Sequence, residues 1–377
     1  MKKELAVLAY KVDSFDNDVF IEDIVAYRPN SIVLFFNKQW IRVAYKPRTY
    51  DVKKETWSFF HFGNPQIDYL VYPLMFVADL FKVLGIFSYF CFKYRVSTII
   101  VENTFAASIV GILRKVNLVK EMIYIPGDWL AGNEVRMGIW SHLGNNIIFP
   151  VFDYLACKFS DITLNCTLQI IEERNKFWGK PVSNKDVLFV NRLKIKQDTS
   201  NILKNKIVFL GLLRDDSGIN FVVSSLSKIR KSAPISLKII GNQSQQELLI
   251  KKLAKSSGAD KQVEFTGFAE KEKFKIALKD CFCGLNLITS ENSHTSKTIP
   301  AKVCDYLQYL IPVVVTKNIG PMVKIIEINK LGMVIDPTKE DIAEAILHVY
   351  NNQVQYRSNI VKYIHSLEKK ESIVKYL

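Results

Sequence analysis

Apolar and polar positions follow one another along this chain in blocks that predict strands and helices in turn. The first half predicts strands at residues 5–10, 31–36, 97–101, 122–125 and 161–164, and Trp40–Tyr45 alternates as a further strand would. Helices are predicted over 20–27, 69–92, 105–116, 149–158 and 168–178. Strands and helices alternating at this spacing indicate βαβ units around a parallel sheet.

The pattern starts again near residue 204, which predicts a second unit of the same kind. Its strands are predicted at 206–210, 236–240, 263–265, 284–287, 312–316 and 332–335. Its helices are predicted over 220–231, 245–257, 271–278, 300–310 and 341–351. We therefore expect an α/β protein with two doubly wound, Rossmann-like domains facing a cleft, because a chain of 377 residues is long for one core.

The predicted domain limits are 1–200, 201–352 and 353–377. The polar, helical stretch 353–377 is predicted to cross back onto the first domain. The N-terminal apolar run is too short for a signal peptide and is predicted to be the first strand.

Residues 69–92, YLVYPLMFVADLFKVLGIFSYFCF, are long enough to span a bilayer. Pro73, Asp79, Lys82 and Gly85 interrupt the run, and a carboxylate at mid-membrane is costly. The pattern favours a helix packed on the sheet, with an aromatic face partly available to the membrane interface. An ordinary buried crossover helix remains an open alternative.

The chain carries 51 Lys and Arg against 37 Asp and Glu, a formal net charge of +14. The cations are spread along the whole length rather than concentrated in a stripe with aromatics, so the charge does not favour a nucleic-acid partner. It suits anionic lipid or phosphorylated substrates. The six cysteines lie mostly in apolar segments without a CxxC pair, which predicts reduced thiols in a cytoplasmic protein. The acidic run Asp16–Asp18 is interpreted as a turn, and no metal is expected.

The segment from Cys283 to Gly320 gives the clearest indication of a ligand-binding site. A short apolar strand leads into a polar loop containing Lys297 and Thr298, and a helix opens at Pro300. Helix N-termini offer backbone N–H groups to anions, and a nearby lysine adds a positive charge. The segment therefore predicts a phosphorylated small molecule as the ligand.

Five segments then occur in a characteristic order over about residues 205–350: IVFLGLLRDDSGI, LKIIGNQ, VEFTGF, PAKVCDYLQYLIPVVV and GMVIDPTKEDIAEAI. Together they resemble the donor-binding domain of GT-B glycosyltransferases of the group 1, family 4 type, which includes enzymes of lipopolysaccharide and capsule synthesis. In the first half, VENTFAASIV and MIYIPGDW are similar to the mid-domain strand–helix–strand of that family.

The resemblance implies transfer of a sugar from a nucleoside diphosphate donor without a metal cofactor. Asp305 lies where the family has a Glu that binds the nucleotide ribose. Lys302, one helical turn earlier, and Arg214 are the candidates to neutralise the diphosphate and the leaving group. The remaining donor-site candidates are Gly211, Gly241, Gly267, Lys297 and Thr298.

The chain also departs from the family pattern. Leu212 and Ser217 stand where many members have a basic pair. Lys297 stands where the first of two acids, eight residues apart, is expected. Glu291 lies in the same loop, but its spacing from Asp305 does not support it as a substitute for that acid. In the first domain, Asp128 is the candidate to face the acceptor or the sugar. Weaker candidates are Glu102, Asn103 and His294, whereas His142 is interpreted as structural.

The resulting expectation is a glycosyltransferase that builds a surface polysaccharide on a lipid-linked or glycan acceptor, peripheral to the cytoplasmic face of the membrane. Two alternatives stay open at this point. One is a catalytically silent relative that binds a partner or a glycan, favoured by the missing basic pair. The other is a nucleotide-sugar epimerase, for which we find no set of carboxylates and histidines.

Overall fold

The computed structural model describes ten longer stretches of the chain and a few short ones. The described residues are 3–12, 23–24, 26–36, 40–44, 56–58, 65–132, 142–189, 193–196, 204–211, 213, 215–241, 245–267, 276–290, 297–336, 338–368 and 373–376. The chain divides into two compact units. Unit 1 contains Met1–Asn191 and Glu371–Leu377, and unit 2 contains Arg192–Lys370.

Unit 1 is built on one eight-stranded sheet with the order β4-β3-β2-β1-β5-β6-β7-β8. Its strands are β1 (Lys3–Val12), β2 (Ser31–Phe36), β3 (Trp40–Ala44), β4 (Thr56–Ser58), β5 (Tyr94–Val101), β6 (Glu121–Tyr124), β7 (Ile162–Asn165) and β8 (Asp186–Leu188). Strands β2, β1, β5, β6, β7 and β8 run parallel to one another. Strands β3 and β4 are antiparallel and form one edge of the sheet. The central strands are almost continuously apolar, as expected where helices cover both faces.

The helices of unit 1 pack against this sheet. They are α1 (Pro65–Lys93), α2 (Thr104–Lys115), α3 (Phe149–Phe159) and α4 (Leu168–Trp178), and a π-helical turn at Gly144–Ile148 leads into α3. Asn103 caps α2 by accepting a hydrogen bond from the Ala106 amide at 2.9 Å, and Thr167 caps α4 in the same way through the Ile170 amide. Phe87 and Phe90 of α1 are fully buried, so α1 belongs to the core of unit 1.

A buried polar network joins helices and strands of unit 1. Arg174 on α4 is fully buried and donates from Nε to Asp153 Oδ2 at 2.6 Å and from Nη1 to Asn165 Oδ1 at 3.0 Å. The Tyr124 hydroxyl donates to Asp153 Oδ1 at 2.8 Å and lies 2.8 Å from the Thr104 hydroxyl. Burial opposes the charge on Arg174, but the attraction of Asp153 and its hydrogen bond, together with nearby groups, outweigh burial and raise the pKa of the guanidinium.

Unit 2 contains a six-stranded, fully parallel sheet with the order β11-β10-β9-β12-β13-β14. The strands are β9 (Lys206–Leu210), β10 (Ser236–Ile240), β11 (Val263–Gly267), β12 (Cys281–Asn286), β13 (Val313–Thr316) and β14 (Gly332–Ile335). The helices are α5 (Ile219–Ser232), α6 (Gln245–Ser256), α7 (Ala301–Gln308), α8 (Met322–Asn329), α9 (Lys339–Asn351) and α10 (Gln353–Glu368). Separate apolar clusters fill the two faces of the sheet.

The fold class predicted from the sequence is confirmed: both units are doubly wound around largely parallel sheets. The units divide after residue 191, whereas the sequence placed the boundary at 200. Helix α10 packs within unit 2 through Ile360 and Ile364, and only 371–377 are grouped with unit 1. The predicted crossing segment 353–377 is therefore divided between the units. The predicted helix at 271–278 lies mostly outside the described residues.

All six cysteines are free thiols. Cys91, Cys157, Cys281 and Cys283 are buried, and burial raises the pKa of Cys281 to about 12. Cys166 and Cys304 are partly exposed, and they lie in unit 1 and unit 2 respectively.

The network around Arg174 generates a stability prediction. Arg174→Met should lower the free energy of unfolding of unit 1 by about 3–5 kcal/mol, because it leaves the Asp153 carboxylate buried without its ion-pair partner. Urea unfolding followed by tryptophan fluorescence measures it, since all five tryptophans lie in the part of the sequence assigned to unit 1.

Arg114→Met is the matched control, because Arg114 also lies in unit 1 and forms a 2.9 Å ion pair with Asp161, but both side chains are about one-third exposed. Its effect should stay within about 1 kcal/mol. A change below about 1 kcal/mol in Arg174→Met would contradict the assignment of the network as a major contribution to stability.

Candidate functional site

Three glycines lie next to one another at the carboxyl ends of β9, β10 and β11. The Gly211 amide donates to the Ile240 carbonyl at 2.9 Å, and the Gly241 amide donates to the Gly267 carbonyl at 3.0 Å. These bonds continue the parallel ladders by one residue beyond each strand. The structure thus brings together the three glycines that the sequence placed in the donor site.

Glycine is required at two of these positions for different reasons. A Cβ on Gly241 would lie 1.9 Å from the Gly211 carbonyl oxygen, which is far inside contact distance. Gly211 itself has a φ of 107°, a conformation that side chains rarely adopt. The first two turns therefore approach each other backbone to backbone.

The turn after Gly211 leads into α5 and packs against the end of β12. Gly218 has a φ of 63°, and a Cβ there would lie 2.7 Å from the Leu287 Cβ. The Asp216 carbonyl accepts a hydrogen bond from the Thr289 amide at 3.0 Å. The two loops that follow β9 and β12 are therefore fixed to each other.

Helix α7 brings a lysine to the first glycine turn. Its N-cap is Pro300, which provides no side-chain cap for the first amides of the helix. The Lys302 Nζ atom lies 4.9 Å from the centroid of the Phe209 ring and 4.0 Å from the position that a Cβ on Gly211 would occupy. The ring at the end of β9 thus supports the ammonium beside Gly211.

The other donor-site candidates of this segment lie around α7. Asp305 is half-buried and stands one helical turn after Lys302, so the two side chains share a face. Lys297 is half-buried and Thr298 is buried, immediately before the helix. The structure places these residues in one segment, and their contacts with a ligand remain predictions.

This arrangement can hold an anion. The N-terminus of α7 and the Lys302 ammonium contribute partial and full positive charge beside the exposed Gly211 turn. A diphosphate is the type of group that such a site binds, since lysine acts on it as a point charge.

Several predicted residues lie outside the described part of the chain. They are Arg214, Leu212, Glu291, His294 and the run Asp16–Asp18. In the part that is described, no group of three or more His, Cys, Asp or Glu side chains is arranged to hold a metal ion.

Asp128, the candidate in unit 1, is exposed in the segment that follows β6. Its neighbour Trp129 is buried and packs edge-on against Phe149, which anchors the segment. Asn103 caps α2, and the His142 ring lies 3.1 Å from the Asn146 amide nitrogen. These contacts give Asn103 and His142 local structural roles, whereas Asp128 remains the candidate for contact with an acceptor or a sugar.

Sequence reasoning missed Tyr306, which lies one helical turn after Lys302 and packs against the sheet. Its ring occupies the place of a side chain at Gly284, where a Cβ would lie 2.4 Å from the ring. The sequence shows that Lys302, Asp305 and Tyr306 lie on one helix. It does not show which strands the Tyr306 hydroxyl binds, because that depends on the tertiary structure.

Residues 193–366 match the sequence model of the family described as Glycosyl transferases group 1. A search of curated proteins finds no match. Among solved structures, the chain is similar to sucrose-phosphate synthase (tll1590) from Thermosynechococcus elongatus, with 12% identity, a TM-score of 0.67 and coverage of 98% of this chain and 97% of that one.

Two further structures resemble the chain over nearly its whole length. Anabaena Alr3699/HepE in complex with UDP-glucose is 14% identical, with a TM-score of 0.63 and coverage of 99% of this chain and 97% of that one. The lipopolysaccharide outer core galactosyltransferase WaaB in its apo form is 14% identical, with a TM-score of 0.57 and coverage of 99% and 100%. At these identities the structures establish the fold.

The contact between Gly211 and Gly241 generates a prediction. Gly241→Ala should lower the free energy of unfolding of unit 2 by about 1–3 kcal/mol, because the added methyl cannot fit beside the Gly211 carbonyl unless a turn moves. Urea unfolding followed by far-UV circular dichroism measures the change, and tryptophan fluorescence should show the transition of unit 1 unaltered.

Gly85→Ala serves as the control, since no heavy atom lies within 4 Å of a Cβ at this position of α1. It should be neutral or stabilising by up to about 1 kcal/mol. Full stability of Gly241→Ala would show that the two turns are not held against each other.

Proposed function

We propose that this chain, a GT-B glycosyltransferase through its glycosyl transferases group 1 domain, transfers a sugar from a nucleoside diphosphate sugar to a glycan or lipid-linked acceptor in the synthesis of a cell-surface polysaccharide. The match of residues 193–366 to this family supports the use of a nucleotide sugar. The donor nucleotide, the acceptor and the pathway are the proposed part.

The position of Lys302 is the observation that carries the proposed donor site. A lysine ammonium beside an exposed glycine turn, at the carboxyl edge of a parallel sheet, is suited to hold a diphosphate. Because Leu212 and Ser217 replace the basic pair of many relatives, Lys302 is the cation on which leaving-group stabilisation should depend most.

The chemistry follows from this placement. As the bond between the anomeric carbon and the diphosphate oxygen breaks, negative charge grows on the diphosphate. A fixed cation stabilises that charge more in the transition state than in the ground state, and this lowers the barrier. We assign leaving-group stabilisation to Lys302 together with Arg214, and ribose binding to Asp305. Asp128 of unit 1 would face the acceptor or the transferred sugar.

Uridine diphosphate is the donor nucleotide that we propose first, since the similar HepE structure holds UDP-glucose. The likeness to a lipopolysaccharide galactosyltransferase supports a glycan acceptor of the cell envelope. A catalytically silent relative is the remaining alternative, and it predicts that no nucleoside diphosphate binds.

One surface of α1 supports association of this chain with a membrane. Within the described residues, α1 is the one helix long and apolar enough to cross a bilayer, and 28% of its stretch Leu74–Lys93 is buried. Because Phe87 and Phe90 of this helix are fully buried in unit 1, we favour a helix that lies on the membrane surface over one that crosses it.

The exposed face of α1 is an apolar stripe, which we define as Leu74, Val77, Phe81, Tyr89 and Phe92. These residues recur at helical spacing, so they lie along one side of the helix. Leu74 and Phe81 are 74% and 70% exposed. Lysine and arginine side chains follow immediately at positions 93 and 95, and both are exposed.

The neighbouring helix α2 carries exposed Ile112 and Lys115, and Val116 at its C-cap is exposed as well. Apolar side chains flanked by cations match the interface of an anionic bilayer, where apolar burial and charge attraction add. We therefore propose that the stripe rests on the cytoplasmic face of the membrane, near a lipid-linked acceptor.

The donor site can be tested by binding. Lys302→Ala should weaken the binding of UDP about 10- to 100-fold, because one charge-assisted contact with the diphosphate is lost. Asp305→Ala should weaken UDP binding about tenfold through the lost hydrogen bonds to the ribose. Isothermal titration calorimetry with UDP, and with GDP and ADP for comparison, measures both.

Lys324→Ala is the matched control, since it removes an exposed lysine from another helix of unit 2. It should bind UDP as the unaltered chain does. Binding of none of the three nucleotides to the unaltered chain would favour the silent relative, and unchanged affinity in both site variants would mean that the donor site lies elsewhere.

The membrane surface can be tested with vesicles. The double variant Leu74→Glu and Phe81→Glu should lose most of its cosedimentation with phosphatidylglycerol-containing vesicles, because two carboxylates replace the two most exposed side chains of the stripe. The unaltered chain should bind these vesicles and release them at high salt, and it should bind phosphatidylcholine vesicles less.

Leu248→Glu is the control, as Leu248 is a 62% exposed leucine on α6 of unit 2. It should leave vesicle binding unchanged. A second copy of the chain is the competing occupant of the stripe. A dimer in sedimentation velocity that dissociates in the double variant, without vesicle binding by the unaltered chain, would overturn the membrane assignment.

A further inference from the structure

Tyr306 connects helix α7 to the ends of two strands. It is fully buried, and its hydroxyl oxygen accepts a hydrogen bond from the Leu210 amide at 2.8 Å. The same hydroxyl lies 3.2 Å from the Leu285 carbonyl and 3.3 Å from the Val208 carbonyl. Burial raises the pKa of Tyr306 well above its ordinary value, so the hydroxyl keeps its proton and donates it to these carbonyls.

The hydroxyl takes the place of a missing strand partner. Parallel pairing between β9 and β12 ends at Phe209 and Leu285, whereas pairing between β9 and β10 continues to Leu210. The next amide, that of Gly211, bonds to β10 through the Ile240 carbonyl. Because successive amides of a strand point to opposite neighbours, the Leu210 amide points towards β12, where Tyr306 satisfies it.

The sequence of β12 makes room for this contact. A Cβ on Gly284 would lie 2.4 Å from two atoms of the Tyr306 ring, so only glycine lets the ring approach the sheet. Glycine in the interior of a strand weakens it and commonly marks close approach of another group. The close contact allows the hydroxyl to reach the backbone of both strands.

We propose that Tyr306 is a positioning residue for the donor site. Its hydroxyl bond to the Leu210 amide fixes the start of the Gly211 turn relative to α7, the helix that bears Lys302 and Asp305. This inference rests on the proposed function. It states that the Tyr306 hydroxyl sets the distance between the Lys302 ammonium and the Gly211 turn. Tyr306 itself touches neither the donor nor the reacting atoms.

The reasoning is geometric. Lys302 reaches Gly211 from α7, and the Gly211 amide bonds to β10 through the Ile240 carbonyl. On the side of β12, the Tyr306 hydroxyl ties the backbone at the end of β9 to α7. Loss of the hydroxyl would let the turn move relative to the ammonium, and misplacement of a charged group by a fraction of an ångström reduces its effect on a reaction.

Tyr306→Phe is the variant that tests the proposal, because it keeps the ring against Gly284 and removes only the hydroxyl. We expect UDP binding to weaken about tenfold and kcat with a UDP-sugar to fall as well. In the Lys302→Ala background, the same change should alter UDP affinity less than about twofold, because the ammonium that Tyr306 positions is absent. Titration calorimetry of the unaltered chain, the two single variants and the double variant completes this double-mutant cycle.

Tyr363→Phe is the matched control. Tyr363 is a buried tyrosine of α10 in the same apolar cluster of unit 2, and its change should leave UDP affinity unaltered. Gly284→Ala provides a second route to the same contact, since the added methyl displaces the Tyr306 ring without changing Tyr306. It should also weaken UDP binding, and it keeps the proposal testable if Tyr306→Phe does not fold.

The outcomes separate this inference from the proposed function. Equal effects of Tyr306→Phe with and without Lys302 would show a general structural role and overturn the positioning role. Unchanged UDP affinity in Tyr306→Phe, with binding that still depends on Lys302, would overturn this inference and leave the proposed function intact. Absence of nucleotide binding by the unaltered chain would overturn both.

Discussion

The backbone contact between Gly211 and Gly241 is the constraint on which the candidate site depends. The carbonyl oxygen of Gly211 lies where residue 241 would otherwise place a side chain. The carboxyl edge of the sheet is therefore formed by main-chain groups at these two positions. A polar ligand can approach such an edge closely, and the charge that recognises it must come from a neighbouring element, here α7.

The two units solve the same structural problem with different chemistry. In each, a polar side chain from a helix reaches the ends of parallel strands: Arg174 binds Asn165 at the end of β7, and Tyr306 binds Leu210 at the end of β9. The guanidinium needs Asp153 to compensate for its desolvation, whereas the neutral hydroxyl needs only backbone partners. The ionic arrangement is the more sensitive to loss of a single partner.

Much of the fold could be predicted because short apolar runs in this chain mark strands that helices bury on both faces. Strands such as Ser31–Phe36 and Lys206–Leu210 were predicted to the residue, since they are buried from both faces and bounded by polar residues. The three-residue strand Asp186–Leu188 was missed because it is half-exposed and lacks that contrast. Helix Met322–Asn329 was missed because it is short and apolar.

The candidate site could be predicted only in part, for a related reason. Glycines at strand ends and the pair Lys302 and Asp305 are local features that the sequence shows directly. The role of Tyr306 depends on Gly284 and Leu210, which are far from it in the chain and meet it only when β9, β12 and α7 are assembled. Local pattern carries no information on such a contact.

The distribution of thiols has a practical consequence for the study of motion. Four cysteines are enclosed in the cores, whereas Cys166 and Cys304 are partly accessible, one in each unit. Thiol-directed dyes would therefore attach preferentially at these two points, and the unmodified chain already carries a donor–acceptor pair of positions for energy-transfer measurements. The separation of these two positions could be measured without engineering a new attachment site.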